Sequence, residues 1–175
     1  MRVPGLTYTS REEVDVYRFS WPVSLGLPLV MVAAQAFLPV RIPALGVFDF
    51  GLLLTIFFAI SRRSPVSGLL TGAVIGILQD CLTRTPVGVF GIAKTLVGFG
   101  ASSIGIKFDV ENIGTRFLLT FFFYVIHSAV VLAIQRLLMG QAIHLNLGHA
   151  AGASMLNSLL AVFLFALLDR LKIRE

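Results

Sequence analysis

Charged residues are scarce in this chain: Asp, Glu, Lys and Arg make up only 13% of its 175 residues. With 57% hydrophobic residues and a mean hydropathy of +0.90, too little polar surface remains to cover a water-soluble globule of this size. That shortage excludes a soluble domain and points to an integral membrane protein. Cysteine is almost absent. Cys81 stands alone, which excludes an internal disulfide framework and leaves no cysteine set with metal spacing. The formal charge of +5 could suggest nucleic acid, but the basic residues stand between apolar runs and form no stripe interleaved with aromatics. No nucleic-acid partner is expected.

Chemical motifs are missing as well. There is no HExxH pair, no GxSxG or GxSG nucleophile turn, no GxGD aspartate and no P-loop; "GASS" at Gly100 to Ser103 lacks the closing glycine. The expectation is a protein that is not an enzyme and needs no cofactor. Phosphate-driven work would fall to a partner. Fixed-period repeats, low-complexity tracts and polar linkers are also lacking, so one membrane domain over residues 1–175 is the economical expectation.

What the chain does have is a series of apolar runs. Stretches of about 17 to 25 apolar residues can cross a bilayer as helices, and six fit: 19–40, 42–60, 65–82, 87–106, 117–139 and 150–168. An all-α membrane protein of six transmembrane helices is therefore predicted. Punctuation agrees with this division. Ser64 followed by Pro65 reads as an N-cap with proline at the first helical position, and Thr85-Pro86-Val87-Gly88 as a tight turn between antiparallel helices. The polar stretch "KFDVENIGTR" separates the fourth and fifth spans.

An even number of spans puts both termini on one side. Of the fourteen Lys and Arg residues, that side would carry ten: Arg2, Arg11, Arg18, Arg62, Arg63, Lys107, Arg116, Arg170, Lys172 and Arg174. The other side would carry Arg41, Arg84 and Arg136, with Lys94 inside a span. The positive-inside rule then places segments 1–18 and 169–175 in the cytoplasm. Ala34-Gln35-Ala36 has the small-x-small pattern of a signal-cleavage site, but Glu12, Glu13 and Asp15 do not suit the basic region of a signal peptide. Retention of the segment is expected. Ser10 and Glu13 have capping-box spacing, so "SREEVDVYRF" reads either as a short interfacial helix, with Tyr17 and Trp21 at headgroup level, or as a partly ordered tail.

This orientation turns the charges inside the spans into a geometry. Asp49 would lie about 7 residues, roughly 10 Å, below the outer end of the second span. Asp80 would sit near the outer end of the third, and Lys94 about 7 residues in from the same face of the fourth. A buried lysine needs a counter-ion, and both acids have a suitable depth, because a charge at mid-membrane costs about 2.5–3.5 kcal/mol on insertion scales. Four roles stay open: a buried pair that fixes helix register, a proton or ligand site, a partner-binding surface, or a Lys94 that snorkels to the headgroups without a protein partner. His127 and Asn157, near the middles of the fifth and sixth spans, are candidates for interhelical hydrogen bonds of about 0.6–2 kcal/mol. For His127, packing is favoured over titration. His144 and His149 in "HLNLGH" match no zinc spacing, so no metal site is expected.

Gly68, Gly72 and Gly76 recur every fourth residue and line one face of the third helix, where a neighbouring backbone can approach closely. Gly98 and Ser102 offer a similar face on the fourth. The neighbour is either another helix of this chain or a partner protein.

The block "FDFGLLLTIFFAISRRSPVSGLLTGAVIGILQDCLTRTPVGVFGIAKTLVGFGASSIG", Phe48 to Gly105, resembles the MreD family of bacterial rod shape-determining proteins. The shared features are an Asp opening the second span, an Arg-rich inner turn, a Gly-rich third span ending in Gln79-Asp80, the Thr-x-x-Pro-x-Gly turn from Thr83 through Pro86 to Gly88, and a fourth span rich in small residues. The resemblance implies a non-enzymatic scaffold of the bacterial inner membrane, part of the elongasome that maintains cell shape during peptidoglycan synthesis. It implies direct association with MreC, and direct or indirect association with the MreB filament, the RodA glycosyltransferase and the elongation penicillin-binding transpeptidase, all within membrane lipid. It also implies a likeness to the six-helix S-components of energy-coupling-factor transporters, which supplies the rival expectation of a vitamin-binding subunit. By position Asp49, Gln79, Asp80, Thr83, Pro86 and Gly88 match the family pattern and would shape the outer ends of spans two to four. Lys94 does not belong to it.

Overall fold

The structure, a computed structural model, describes residues 19–105, 112–141 and 146–171. The interfacial segment around Ser10, Glu13 and Tyr17, the side chain of Trp21, His144 and the basic residues Arg2, Arg11, Arg18, Lys107, Lys172 and Arg174 lie outside that description. The described chain is all-α. Its six α-helices are α1 (Trp21–Arg41), α2 (Phe50–Arg62), α3 (Pro65–Thr83), α4 (Val89–Gly105), α5 (Ile113–Ala133) and α6 (Leu147–Leu168). Helix α5 runs on into a π-helical turn, Ile134–Leu138, and short 3-10 turns occupy Pro43–Val47 and Asp169–Leu171. Segments Pro22–Arg41, Pro65–Thr83, Ile113–Leu138 and Leu147–Leu171 are long and apolar enough to cross a membrane, whereas α2 and α4 are shorter apolar helices.

Local chemistry sets the starts of these helices. Ser64 caps α3 through its side chain, with Pro65 following where no N–H is required. Asn112 accepts from Gly114 N at 2.8 Å to open α5, and Asn146 accepts from His149 N at 3.1 Å to open α6. These two caps start both helices ahead of the apolar runs: α5 begins at Ile113, before the predicted 117, and α6 at Leu147, before the predicted 150.

The second span departs most from expectation. The run 42–60 is not one helix: Pro43 opens a 3-10 turn, and the α-helix begins only at Phe50, where Asp49 accepts from Leu52 N at 2.8 Å. Asp49 is therefore the N-cap of α2 and not a residue within a helical span. At 13 residues, α2 is about 20 Å long against a hydrocarbon core of about 30 Å. It survives as a short helix because protein surrounds it: every residue from Gly51 to Ser61 is buried. A helix apolar all round belongs at the centre of a bundle. Helices α1, α3, α4, α5 and α6 all touch it, and Phe57 packs on Phe165 with ring centroids 5.4 Å apart.

The outer helices are asymmetric. Of the described α1 side chains only Pro28 and Val32 are buried. Helix α5 buries a single stripe, Arg116, Thr120, Phe123 and His127, at alternating four- and three-residue steps. Arg116 and Asp169 form an ion pair at 2.6 Å that ties the start of α5 to the end of α6.

Candidate functional site

The break before α2 places irregular backbone inside the bundle, where each polar group needs a protein partner. Asn157, near the middle of the 22-residue α6, supplies two. Its Oδ1 accepts from Asp49 N at 2.9 Å, and its Nδ2 donates to Val47 O at 2.8 Å and to Ala153 O at 2.9 Å. The Oδ1 and one Nδ2 bond thus bracket the break, and they place the start of α2 at the depth of the midpoint of α6. The interhelical role expected of Asn157 is realised against the α1–α2 connection. Gln35 on α1 adds a third clamp, its Oε1 accepting from Gly51 N at 2.9 Å.

At this break Lys94 meets its counter-ion. Lys94 Nζ donates to both carboxylate oxygens of Asp49 at 2.7 Å, with no exposure of the lysine side chain and 11% of the aspartate's. Because Asp49 Oδ1 also accepts from Leu52 N, one carboxylate caps α2, opposes the positive end of its dipole and neutralises the lysine. The Lys94 ammonium also sits 5.7 Å from the Phe90 ring centroid. Burial therefore goes with pairing, and Lys94 does not snorkel.

His127 joins the same cluster from α5. Its ring stacks on Phe90, centroids 5.9 Å apart and planes within 10°, and its Nε2 lies 3.7 Å from Asp49 Oδ2. That separation exceeds a hydrogen bond. Its contact is thus one of packing and proximity, and the expected cross-helix bond is not made at Nε2.

Asp80, the other candidate counter-ion, has a different task. Its carboxylate accepts from Gly88 N at 2.8 Å, Phe90 N at 3.0 Å and Gly91 N at 3.1 Å. From the last turn of α3 it thereby caps the first turn of α4, satisfying N–H groups that have no partner within their own helix. The α3–α4 turn is built to present them. Arg84 takes the left-handed conformation at φ 54° and Gly88 lies at φ 108°, where a side chain would be strained. Thr83 Oγ1 bonds Gln79 O and Thr85 Oγ1 at 2.7 and 2.8 Å, while Pro86 O accepts from Val89 N at 3.3 Å. Gln79 is buried beside Gly51 at the start of α2. The six residues singled out by position, Asp49, Gln79, Asp80, Thr83, Pro86 and Gly88, thus fall into two groups: a cap for α4 and a wall for the start of α2.

The neighbour of the glycine face is α4. A β-carbon on Gly72 would run into the Lys94 carbonyl, one on Gly76 into the Phe90 carbonyl, and one on Gly68 into the Gly98 carbonyl. Gly98 returns the relation against Gly68, and Ser102 fills the end of the seam. This face is closed within the chain, which removes it as a docking surface for a partner.

Sequence reasoning found Asp49, Asp80, Lys94 and Asn157 but missed Gln35, whose only signal was an amide in an apolar helix. It also missed that Asp49 is a cap, although Pro43 six residues earlier marked the end of continuous helix. Among the described residues no three His, Cys, Asp or Glu side chains are grouped to hold a metal. No protein-family model, curated protein or solved structure matches this chain.

Proposed function

We propose that the chain is a non-enzymatic membrane scaffold of the MreD type. In this proposal it resides in the bacterial inner membrane with both termini cytoplasmic and binds MreC. Through MreC it would link the MreB cytoskeleton to RodA and the penicillin-binding transpeptidase. The block Phe48 to Gly105 supplies the family resemblance, and the bias of basic residues supplies the orientation. One observation carries the non-enzymatic part: the charged residues within the bundle are engaged with one another or with backbone. Lys94 neutralises Asp49, Asp49 caps α2 and Asp80 caps α4. These charges hold helices in register, and a protein so organised works through its outer faces.

With the Gly68–Gly72–Gly76 face filled by α4, the partner helix is left the lipid-facing sides of the bundle. The test is co-purification of the tagged protein with an MreC-type partner from the same cell. The scaffold reading expects a stoichiometric complex that survives detergent exchange. A folded protein that recovers no partner would overturn it.

A second reading draws on the helix break, because backbone interrupted at mid-depth is also how secondary transporters build substrate sites. An S-component-like subunit would bind a vitamin-like molecule near Asp49, His127 and Asn157. A thermal-shift screen separates the two, since the scaffold reading expects no small-molecule stabilisation.

A further inference from the structure

The junction of α2 and α3 carries two adjacent arginines, Arg62 and Arg63. Arg62 is half-buried, and its guanidinium is fixed from several directions: Nη2 donates to Ser24 Oγ at 2.9 Å, Nη1 reaches Ser67 Oγ at 3.4 Å, and Cζ lies 5.1 Å from the Phe58 ring centroid and 5.9 Å from that of Phe19. These partners are neutral hydroxyls and aromatic faces. Two bonds leave further N–H donors of the guanidinium for another acceptor. Arg63 follows in the left-handed conformation at φ 49°, and its Nε is enclosed without a hydrogen-bond partner. Among the described residues neither arginine has a carboxylate within ion-pair distance. The N-terminus of the 19-residue α3 begins two residues on, adding the positive end of a helix dipole.

The contrast lies within the same molecule. Lys94 is paired with Asp49 and Arg116 with Asp169, whereas this turn gathers two cations and a helix N-terminus with no anion beside them among the described residues. Its position at the end of α2 and the start of a membrane-length helix puts it at the level where a bilayer offers phosphodiesters. We propose that the α2–α3 turn binds the phosphate headgroup of an anionic phospholipid, with Arg62 as the fixed contact and Arg63 as the adaptable one. A planar guanidinium matches phosphate oxygens in pairs, and the aromatic faces on Phe19 and Phe58 hold it ready for that contact.

Arg84 provides the control. It too is a left-handed arginine at the end of a helix, at φ 54°, but it stands at the opposite end of α3 without a neighbouring arginine. The experiment measures the melting temperature of the purified full chain in phosphatidylcholine nanodiscs containing increasing phosphatidylglycerol. Wild type and R84Q are expected to gain stability together. R63Q should need about fivefold more anionic lipid for the same gain, as expected for one arginine at a membrane surface, and R62Q at least as much. R63Q leaves the Arg62 contacts intact, so the test does not depend on whether R62Q folds well. Equal gains in wild type, R63Q and R62Q, or equal losses in R63Q and R84Q, would overturn the assignment. Inorganic phosphate added to lipid-free micelles should stabilise little; full stabilisation by it would place the ligand in solution and overturn the lipid source.

Discussion

Asn157 carries more responsibility than its type suggests. One amide serves Val47 O and Asp49 N across the break before α2. Replacing it with leucine would keep the branched shape but strand both groups at the midpoint of α6, at about 1–3 kcal/mol for each buried group left without a partner. Asn157→Leu is therefore expected to destabilise the protein by about 2–6 kcal/mol in a denaturant titration in detergent. A loss below about 1 kcal/mol would show that water reaches the break and substitutes for the amide. Asp80→Ala should remove the cap of α4 and cost about 2 kcal/mol or more, at the upper end of N-cap losses because three N–H groups lose their acceptor. Hydrogen exchange at Phe90 and Gly91 should rise with it. Unchanged protection there would assign those amides another acceptor. Both residues were visible in the sequence as polar groups in apolar runs, but their partners were not, because each bonds backbone and no residue type announces a backbone acceptor.

The pairing of α3 with α4 depends on the absence of side chains. Gly68, Gly72 and Gly76 bring carbonyls of α4 to where β-carbons would stand, so van der Waals contact between backbones replaces the hydrophobic drive that is missing in lipid. Gly72→Leu must push α4 away along with Lys94, whose carbonyl is the obstruction. A loss exceeding about 3 kcal/mol is expected, more than ordinary overpacking of a side-chain core, because the blocking atom is backbone. Stability within about 1 kcal/mol of wild type would mean that the seam opens without cost. The four-residue spacing made the close contact legible in the sequence. Its partner became clear only when Gly98 and Ser102 were found opposite, a match that two separate periodic patterns suggest but do not prove. The shortness of α2 was harder to foresee. A run from Ile42 to Ile60 carries Asp49 as its one charge, with Arg41 at its edge, and hydropathy alone cannot distinguish a helix crossing lipid from a turn followed by a helix encased in protein. Pro43 and Asp49 held that information as a stop signal and a cap.

At the scale of the whole molecule, apolar length and turn residues were enough to predict six helices and their order. They could not predict which helix lies at the centre, since burial by protein and burial by lipid select the same residues. The centre is α2, and the contact that fixes its start to α4 is the ion pair of Lys94 with Asp49. Depth along the spans left Asp49 and Asp80 as equal candidates; a turn that aims backbone N–H groups at Asp80 decided between them. The arrangement is a charged keystone at a helix break, surrounded by outer helices with exposed apolar faces.

The most direct measurement is a pair of double-mutant cycles on global unfolding, joining Lys94→Met first to Asp49→Asn and then to Asp80→Asn. Breaking a buried pair by removing one partner costs about 3–5 kcal/mol because the other charge is stranded. The geometry therefore predicts a coupling of at least about 2 kcal/mol between Lys94 and Asp49, with the double variant more stable than additivity allows. The coupling between Lys94 and Asp80 should be clearly the smaller of the two, since Asp80 is engaged by the N–H groups that open α4. Additivity with Asp49, or an equal coupling with Asp80, would contradict the ion pair that fixes the start of α2 to α4.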